Sequence, residues 1–314
     1  MRRVRFHAYG APEVLRVERG EVPEPGPGEL LVRTEVIGVS LPGVRKVRGA
    51  GAAGPLPEGA GVIGGEVAGR VVAGGPGVEG FAIGERVVSL AFGEAYAELA
   101  VVPVAMTERI PPKLETEQAL ALRRNGQVAL AVLATAAPLP EESVLVTAAA
   151  GGVGHLLVQL AKLRGVRRVV AAVSSEAKAD FVRGLGADEV VSYADEKWGD
   201  PADVVLDGVG GELLPRALDA VVPGGRMVYF SSGGGSLPAY DLLAGGKTVT
   251  GLSMSRFVRT RPELYREHGE QLWELALAGR LRAAVHARLP LAQAARAHAL
   301  IEARANLGKV VLAP

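Results

Sequence analysis

The chain is predicted to be an α/β protein: a doubly wound, parallel six-stranded sheet joined to a smaller, mostly β domain. Three observations predict it. Between Ser143 and Leu252, six short apolar runs alternate with stretches long enough for helices, and such alternation indicates a parallel sheet. The first third instead carries short β-branched runs separated by Gly and Pro turns, the mark of an irregular β domain. A glycine-rich turn, Gly151-Gly152-Val153-Gly154, follows the first of the six runs and opens an apolar, helix-spaced segment.

Taken in order, the first domain offers strands from Leu30 to Ile37, Gly69 to Ala73 and Glu85 to Leu90, with turns at Pro25-Gly26-Pro27-Gly28 and Gly74-Gly75-Pro76-Gly77. From about Glu117 a helical stretch runs to Ala137 and stops at Pro138, since proline cannot continue a helix. The six strands of the sheet are expected from Ser143 to Ala148, Arg168 to Val173, Glu189 to Val191, Asp203 to Leu206, Arg226 to Phe230 and Thr248 to Leu252. The run Gly233-Gly234-Gly235 reads as a loop after a strand. Beyond Arg261 the chain is helical again, with Leu264, Leu272, Leu275 and Leu277 along it. Another helix and a last strand, Lys309 to Leu312, follow, and this tail is expected to return to the first domain.

Composition narrows the chemistry. The 314 residues are 48% hydrophobic and 22% charged, enough to bury a substantial core. With 35 basic and 34 acidic residues the formal net charge is +1, so no broad field attracts nucleic acid or a membrane surface. There is no cysteine, which removes disulfides, thiolate catalysis and sulfur-ligated zinc together. The five histidines, His7, His155, His268, His286 and His298, include no i, i+4 pair that would set two metal ligands on one helical face. His155, directly after the glycine turn, is read as a helix-surface residue. The amino-terminal segment Met1 to Phe6 is basic without a following apolar run, and no apolar stretch approaches the roughly 20 residues of a membrane span. A cytoplasmic protein is expected.

The glycine turn carries the most chemistry. Val144 to Val146 form the strand, and Ala150, Gly151, Gly152, Val153 and Gly154 form the turn. Leu156, Leu157, Leu160 and Leu163 line the helix. Small residues there let the backbone approach a pyrophosphate, whose charge is favoured by unpaired N–H groups and the positive end of the helix dipole. Ala149 stands where the strict dinucleotide pattern has its first glycine. Twenty residues past Gly154, where an NAD-binding fold would hold an acid on the ribose hydroxyls, the chain has Ser174 and Ser175, with Lys178 one turn later. Two hydroxyls and a cation suit a 2′-phosphate, so the cofactor expected is NADPH. Glu176 lies between them and is read as favouring the helix start.

The run Ala148-Ala149-Ala150-Gly151-Gly152-Val153-Gly154 resembles the fingerprint of the zinc-free medium-chain dehydrogenase/reductases, in the quinone oxidoreductase and zeta-crystallin branch. Further stations agree in order: Gly61 to Gly69, Gly84 to Val88, Gly184 to Asp188, Asp207 to Gly211, Gly224 to Arg226, and His298 through Gly308-Lys309. The resemblance implies a GroES-like catalytic domain over 1–117 and 262–314, a Rossmann domain over 118–261, and a cofactor cleft at their junction. It places Tyr193 near the adenine, Gly152 and Val153 at the pyrophosphate, and Asp207 and Gly208 in the cofactor site. Phe230 and Ser231 are expected beside the nicotinamide half, Arg304 and Lys309 at the cofactor's edge. Zinc-dependent relatives carry a Cys near Ser40 and Gly-His-Glu where this chain has Gly64-Gly65-Glu66, so catalytic zinc is not expected.

A metal-free NADPH site suits hydride delivery to a quinone or an activated alkene, with a nearby donor stabilising the developing oxyanion. Family members commonly keep an Asn near Ser40 and a Tyr a few residues later; here the segment reads Ser40-Leu41-Pro42-Gly43-Val44-Arg45-Lys46-Val47-Arg48. Ser40 and Arg45 are the candidate catalytic residues, and a solvated basic helix face is the competing explanation for Arg45, Lys46 and Arg48. Tyr96 is expected to pack. The readings to separate are a quinone reductase, an enoyl or enone reductase, and a low-turnover NADPH-binding sensor. By the same resemblance, the β-branched segment Lys247 to Leu252 is expected to join two copies into a dimer.

Overall fold

The alternating strands and helices after Ser143 build one fully parallel sheet. Its strands are β1 (Ser143–Val146), β2 (Arg168–Val173), β3 (Glu189–Ser192), β4 (Ala202–Asp207), β5 (Val221–Tyr229) and β6 (Thr248–Gly251). Their spatial order is 3-2-1-4-5-6, and every pairing is parallel. This is the doubly wound order, in which the strand order reverses between β1 and β4. All four residues of β1 are buried, as expected for a central strand covered on both faces. The structure, a computed structural model, describes residues 1–57, 59 and 61–314.

Within this sheet, two strand ends differ from the sequence expectation by more than one residue. β1 stops at Val146 rather than Ala148, because Ala148 turns into the left-handed region with φ 50°. β5 starts at Val221, five residues before the expected Arg226. Its Pro223-Gly224-Gly225 segment has a turn composition, and the ladder absorbs it as an irregularity between Ala202 and Val204, with Gly224 at φ 77°.

The chain divides into two compact units, 1–123 with 284–314, and 124–283. The first is built on a seven-stranded sheet. Glu29–Val39 lies at its centre, antiparallel to Gly65–Gly74, Leu99–Pro103 and Lys309–Ala313. The tail therefore returns as expected, with Val310 opposite Val39 and Leu312 opposite Ile37. Phe6, Leu30, Ile37, Val67, Tyr96, Val310 and Leu312 share its core.

Two segments fall elsewhere: residues 118–123, expected with the second domain, belong to the first unit. Residues 262–283, expected with the first domain, belong to the second unit. The helix Pro262–Leu277 seats there because Gly126 makes room for Leu272: a Cβ on Gly126 would lie 2.5 Å from Leu272 Cδ2. Gln127 Nε2 donates to Tyr265 O at 2.8 Å, and Gln159 exchanges two hydrogen bonds with the Arg282 backbone at 2.9 and 3.0 Å. Leucine spacing alone tells that a helix buries a face, not which unit it buries it against. Among the described residues, no helix is long and apolar enough to cross a membrane.

Candidate functional site

The glycine turn is held from three sides. Ala148 N–H donates to the Tyr193 hydroxyl oxygen at 2.6 Å, and Ala148 O accepts Gly151 N–H at 2.8 Å. These bonds offset a left-handed backbone that costs an L-residue about 1–2 kcal/mol. Gly154 opens the helix Gly154–Leu163 against the same peptide. A Cβ there would sit inside van der Waals distance of Ala148 O, 2.7 Å from its carbonyl carbon and 2.8 Å from Ala149 Cα. Only glycine lets the helix come this close to the strand. His155, expected on the helix surface, is instead fully buried, and its Nδ1 donates to Gly151 O at 2.9 Å. That spacing of four, from Gly151 to His155, was the signal for it: the ring reaches back one turn.

The turn leaves donors open. Among the described residues, the backbone N–H groups of Gly152, Val153 and Gly154 make no hydrogen bond. They stand at the start of a helix, with Val153 at its N-cap and Gly154 its first residue, ahead of the intrahelical bonds, and no acidic side chain occupies the first turn. Open donors, the positive dipole end and the absence of competing carboxylates fit a diphosphate. Ser174 and Ser175 are exposed beyond the end of β2, and Lys178 follows, half-buried, in the short turn Glu176–Lys178. Glu176 faces Arg183 at 3.8 Å.

Asp207, at the end of β4, is fully buried and its carboxylate serves the fold. It accepts the Thr147 hydroxyl at 2.7 Å, Val209 N–H at 3.2 Å and Gly210 N–H at 2.9 Å. Thr147 Oγ1 in turn accepts Gly208 N–H at 2.9 Å. The loops after β1 and β4 are thus fixed to each other at the point where the strand order reverses. Phe230 packs on Gly208, where a Cβ would lie 2.8 Å from Phe230 Cζ. Ser231 Oγ donates to Val209 O at 2.7 Å and accepts Gly233 N–H at 2.9 Å, so both residues brace the loop. The Tyr193 ring lies tilted at 38° against Trp198, with centroids 5.5 Å apart. Arg216 lies 4.7 Å over that indole and donates to Tyr193 O at 2.7 Å. Trp198 and Arg216 had no motif to announce them.

Ser40, Arg45, Arg304 and Lys309 belong to the first unit. Ser40 is half-buried before the helix Leu41–Val47, and its hydroxyl does not cap that helix. Arg45 is half-buried and Lys46 exposed, while Arg48 pairs with Glu302 at 2.5 and 2.7 Å. That bond holds the Glu302 carboxyl below its usual pKa. Lys309, expected at the cofactor's edge, is 3% exposed and ion-paired with Glu66 at 2.8 Å. Its ammonium is committed to the first unit's interior. Arg304 is exposed with φ 50°. Tyr96 packs edge-on against His298, with ring centroids 5.6 Å apart and its hydroxyl 3.1 Å from Nε2. Burial raises the tyrosine pKa and lowers that of His298 to about 4. Both are neutral and share that hydrogen bond.

Two family models match the chain. One described as an alcohol dehydrogenase GroES-like domain covers residues 26–112, and one described as a zinc-binding dehydrogenase covers 152–271. A quinone oxidoreductase of Pseudomonas aeruginosa is 35% identical, with 100% of this chain and 99% of the relative covered. A 2-haloacrylate reductase of a Burkholderia species is 30% identical, with 98% of each covered. Among solved structures, the quinone oxidoreductase of Escherichia coli complexed with NADPH is similar at a TM-score of 0.91 and 30% identity, with 100% of both chains covered. The chain belongs to the medium-chain dehydrogenase/reductase family, in its quinone oxidoreductase branch.

Proposed function

We propose that the chain is an NADPH-dependent, zinc-independent reductase acting on quinones or activated alkenes. The observation that carries the cofactor reading is the glycine turn, with three unpaired N–H groups at a helix start and Ser174, Ser175 and Lys178 where an acid would select NAD. Lys178 and the two serines receive the 2′-phosphate, while Gly152, Val153 and Gly154 receive the diphosphate. When bound, NADPH supplies a hydride. Phe230, held against Gly208, and Ser231 shape the loop beside that half of the site.

The metal-free reading rests on the donor set. The chain has no cysteine, and the family's Gly-His-Glu station reads Gly64-Gly65-Glu66. Glu66 is moreover ion-paired with Lys309. Without a Lewis acid, the substrate oxygen needs a hydrogen-bond donor or a positive charge as it gains negative charge. The Ser40 hydroxyl takes the first role and Arg45 the second. Activated alkenes stand beside quinones because the Burkholderia relative is a 2-haloacrylate reductase. Two copies of the chain pair through β6.

The test is oxidation of NADPH and NADH by a panel of quinones and enones, with wild type, Lys178→Ala and Ser40→Ala. Lys178→Ala is expected to raise KM for NADPH about tenfold or more and leave NADH nearly unaffected, while Ser40→Ala lowers kcat about tenfold to a hundredfold. Tight NADPH binding without turnover on any acceptor would discard the reductase in favour of a sensor.

A further inference from the structure

We infer that Asn125 binds the diphosphate of the dinucleotide, a role that rests on the reading of the glycine turn as an NADPH site. Asn125 lies on the helix Thr116–Ala136 and is 9% exposed. Its carboxamide lies against the Cα of Gly152: a Cβ built there would be 2.9 Å from Nδ2 and 3.6 Å from Cγ. Among the described residues no hydrogen bond engages that carboxamide. The side chain is nearly buried, yet its polar atoms are not engaged by the protein and stay open to a ligand.

The surroundings specify the ligand. The amide reaches the turn where the N–H groups of Gly152, Val153 and Gly154 also make no bond. Donors gathered at the positive end of a helix call for an acceptor-rich anion, and the carboxamide N–H₂ adds two more donors to that set. The helix cannot easily carry Asn125 away. Gly126 is closed over by Leu272, and Gln127 is tied to Tyr265 O at 2.8 Å, so the two residues that follow Asn125 are fixed. Asn125 therefore brings its amide to the turn from a second element. The two-residue contact also gives Gly152 a reason to be glycine beyond the turn itself, since a side chain there would displace the amide.

Calorimetric titration of the full chain tests this, with NADPH and with adenosine 2′-monophosphate as ligands. The second ligand carries the adenosine and the 2′-phosphate but no diphosphate. Asn125→Ala is expected to weaken NADPH about tenfold to a hundredfold, the range of a hydrogen bond to a charged group. Asn125→Asp should weaken it further, because it sets a carboxylate against the phosphates. Adenosine 2′-monophosphate should bind all three proteins within twofold. Equal weakening of both ligands would reduce Asn125 to a packing residue, and unchanged NADPH affinity in both variants would overturn the assignment. Should Asn125→Asp not fold, Asn125→Ser and Asn125→Ala carry the comparison. Failure of the wild-type chain to bind NADPH would remove the cofactor reading itself, and this inference with it.

Discussion

At Gly154 a single hydrogen atom decides whether a helix can start where it does. A methyl group would lie 2.7 Å from the Ala148 carbonyl carbon and 2.8 Å from Ala149 Cα, both backbone atoms that cannot swing aside. Gly154→Ala is expected to destabilise the second unit by about 1–3 kcal/mol, the range for overpacking, and to weaken NADPH binding as the helix start moves off the turn. Thermal unfolding followed by circular dichroism checks it, and a variant melting with wild type would contradict the packing argument. The spacing of Gly151, Gly152 and Gly154 was legible because glycine is itself the signal of close approach. The internal partners of Asp207, Ser231 and Lys309 were not. Sequence gives the residue type but not whether its hydrogen-bonding capacity is used internally, and Lys309 finds Glu66 across 243 residues.

Helices and strands were legible to the extent that burial is uniform along them. β1, β2 and β4 read as apolar runs because both faces are covered, whereas the glycines and proline of β5 hid its first residues and leucine spacing misplaced the helix Pro262–Leu277. That helix holds His268, 5% exposed and stacked on Phe257 with centroids 5.8 Å apart. Burial, aided by the nearby Arg164 charge, lowers its pKa to about 4. The native ring therefore stays neutral while the unfolded chain takes up a proton near 6.5. Stability is full above that value and declines as pH falls toward 4, by about 1.4 kcal/mol per pH unit at most and roughly 3 kcal/mol in all. His268→Phe keeps an aromatic on Phe257 and removes the titration. Its melting temperature should fall less than that of wild type between pH 7 and pH 4.5; parallel curves would assign the acid sensitivity elsewhere.

At the scale of the whole molecule, the six-stranded sheet ends on β6, and this edge sets the expected assembly. Thr248, Thr250 and Gly251 are exposed and Val249 half-buried. The preceding helix Ala239–Gly245 leaves Tyr240 73% and Leu243 77% exposed. An uncovered strand edge beside two large apolar side chains is a surface that single copies of a soluble fold usually protect. Pairing β6 with itself across a two-fold axis would close it. The register says which donors are available: Leu252 N–H points inward to Tyr229 O at 2.8 Å, so by the two-residue period Thr250 also points inward and Val249 and Gly251 point out. Val249→Pro removes one outward donor without deleting a bond to β5, a substitution that an edge strand tolerates. Analytical ultracentrifugation should give wild type at twice the chain mass and Val249→Pro at the chain mass, with the variant still binding NADPH. A wild-type monomer at micromolar concentration would remove β6 as the dimer contact and leave Tyr240 and Leu243 to be explained by another partner.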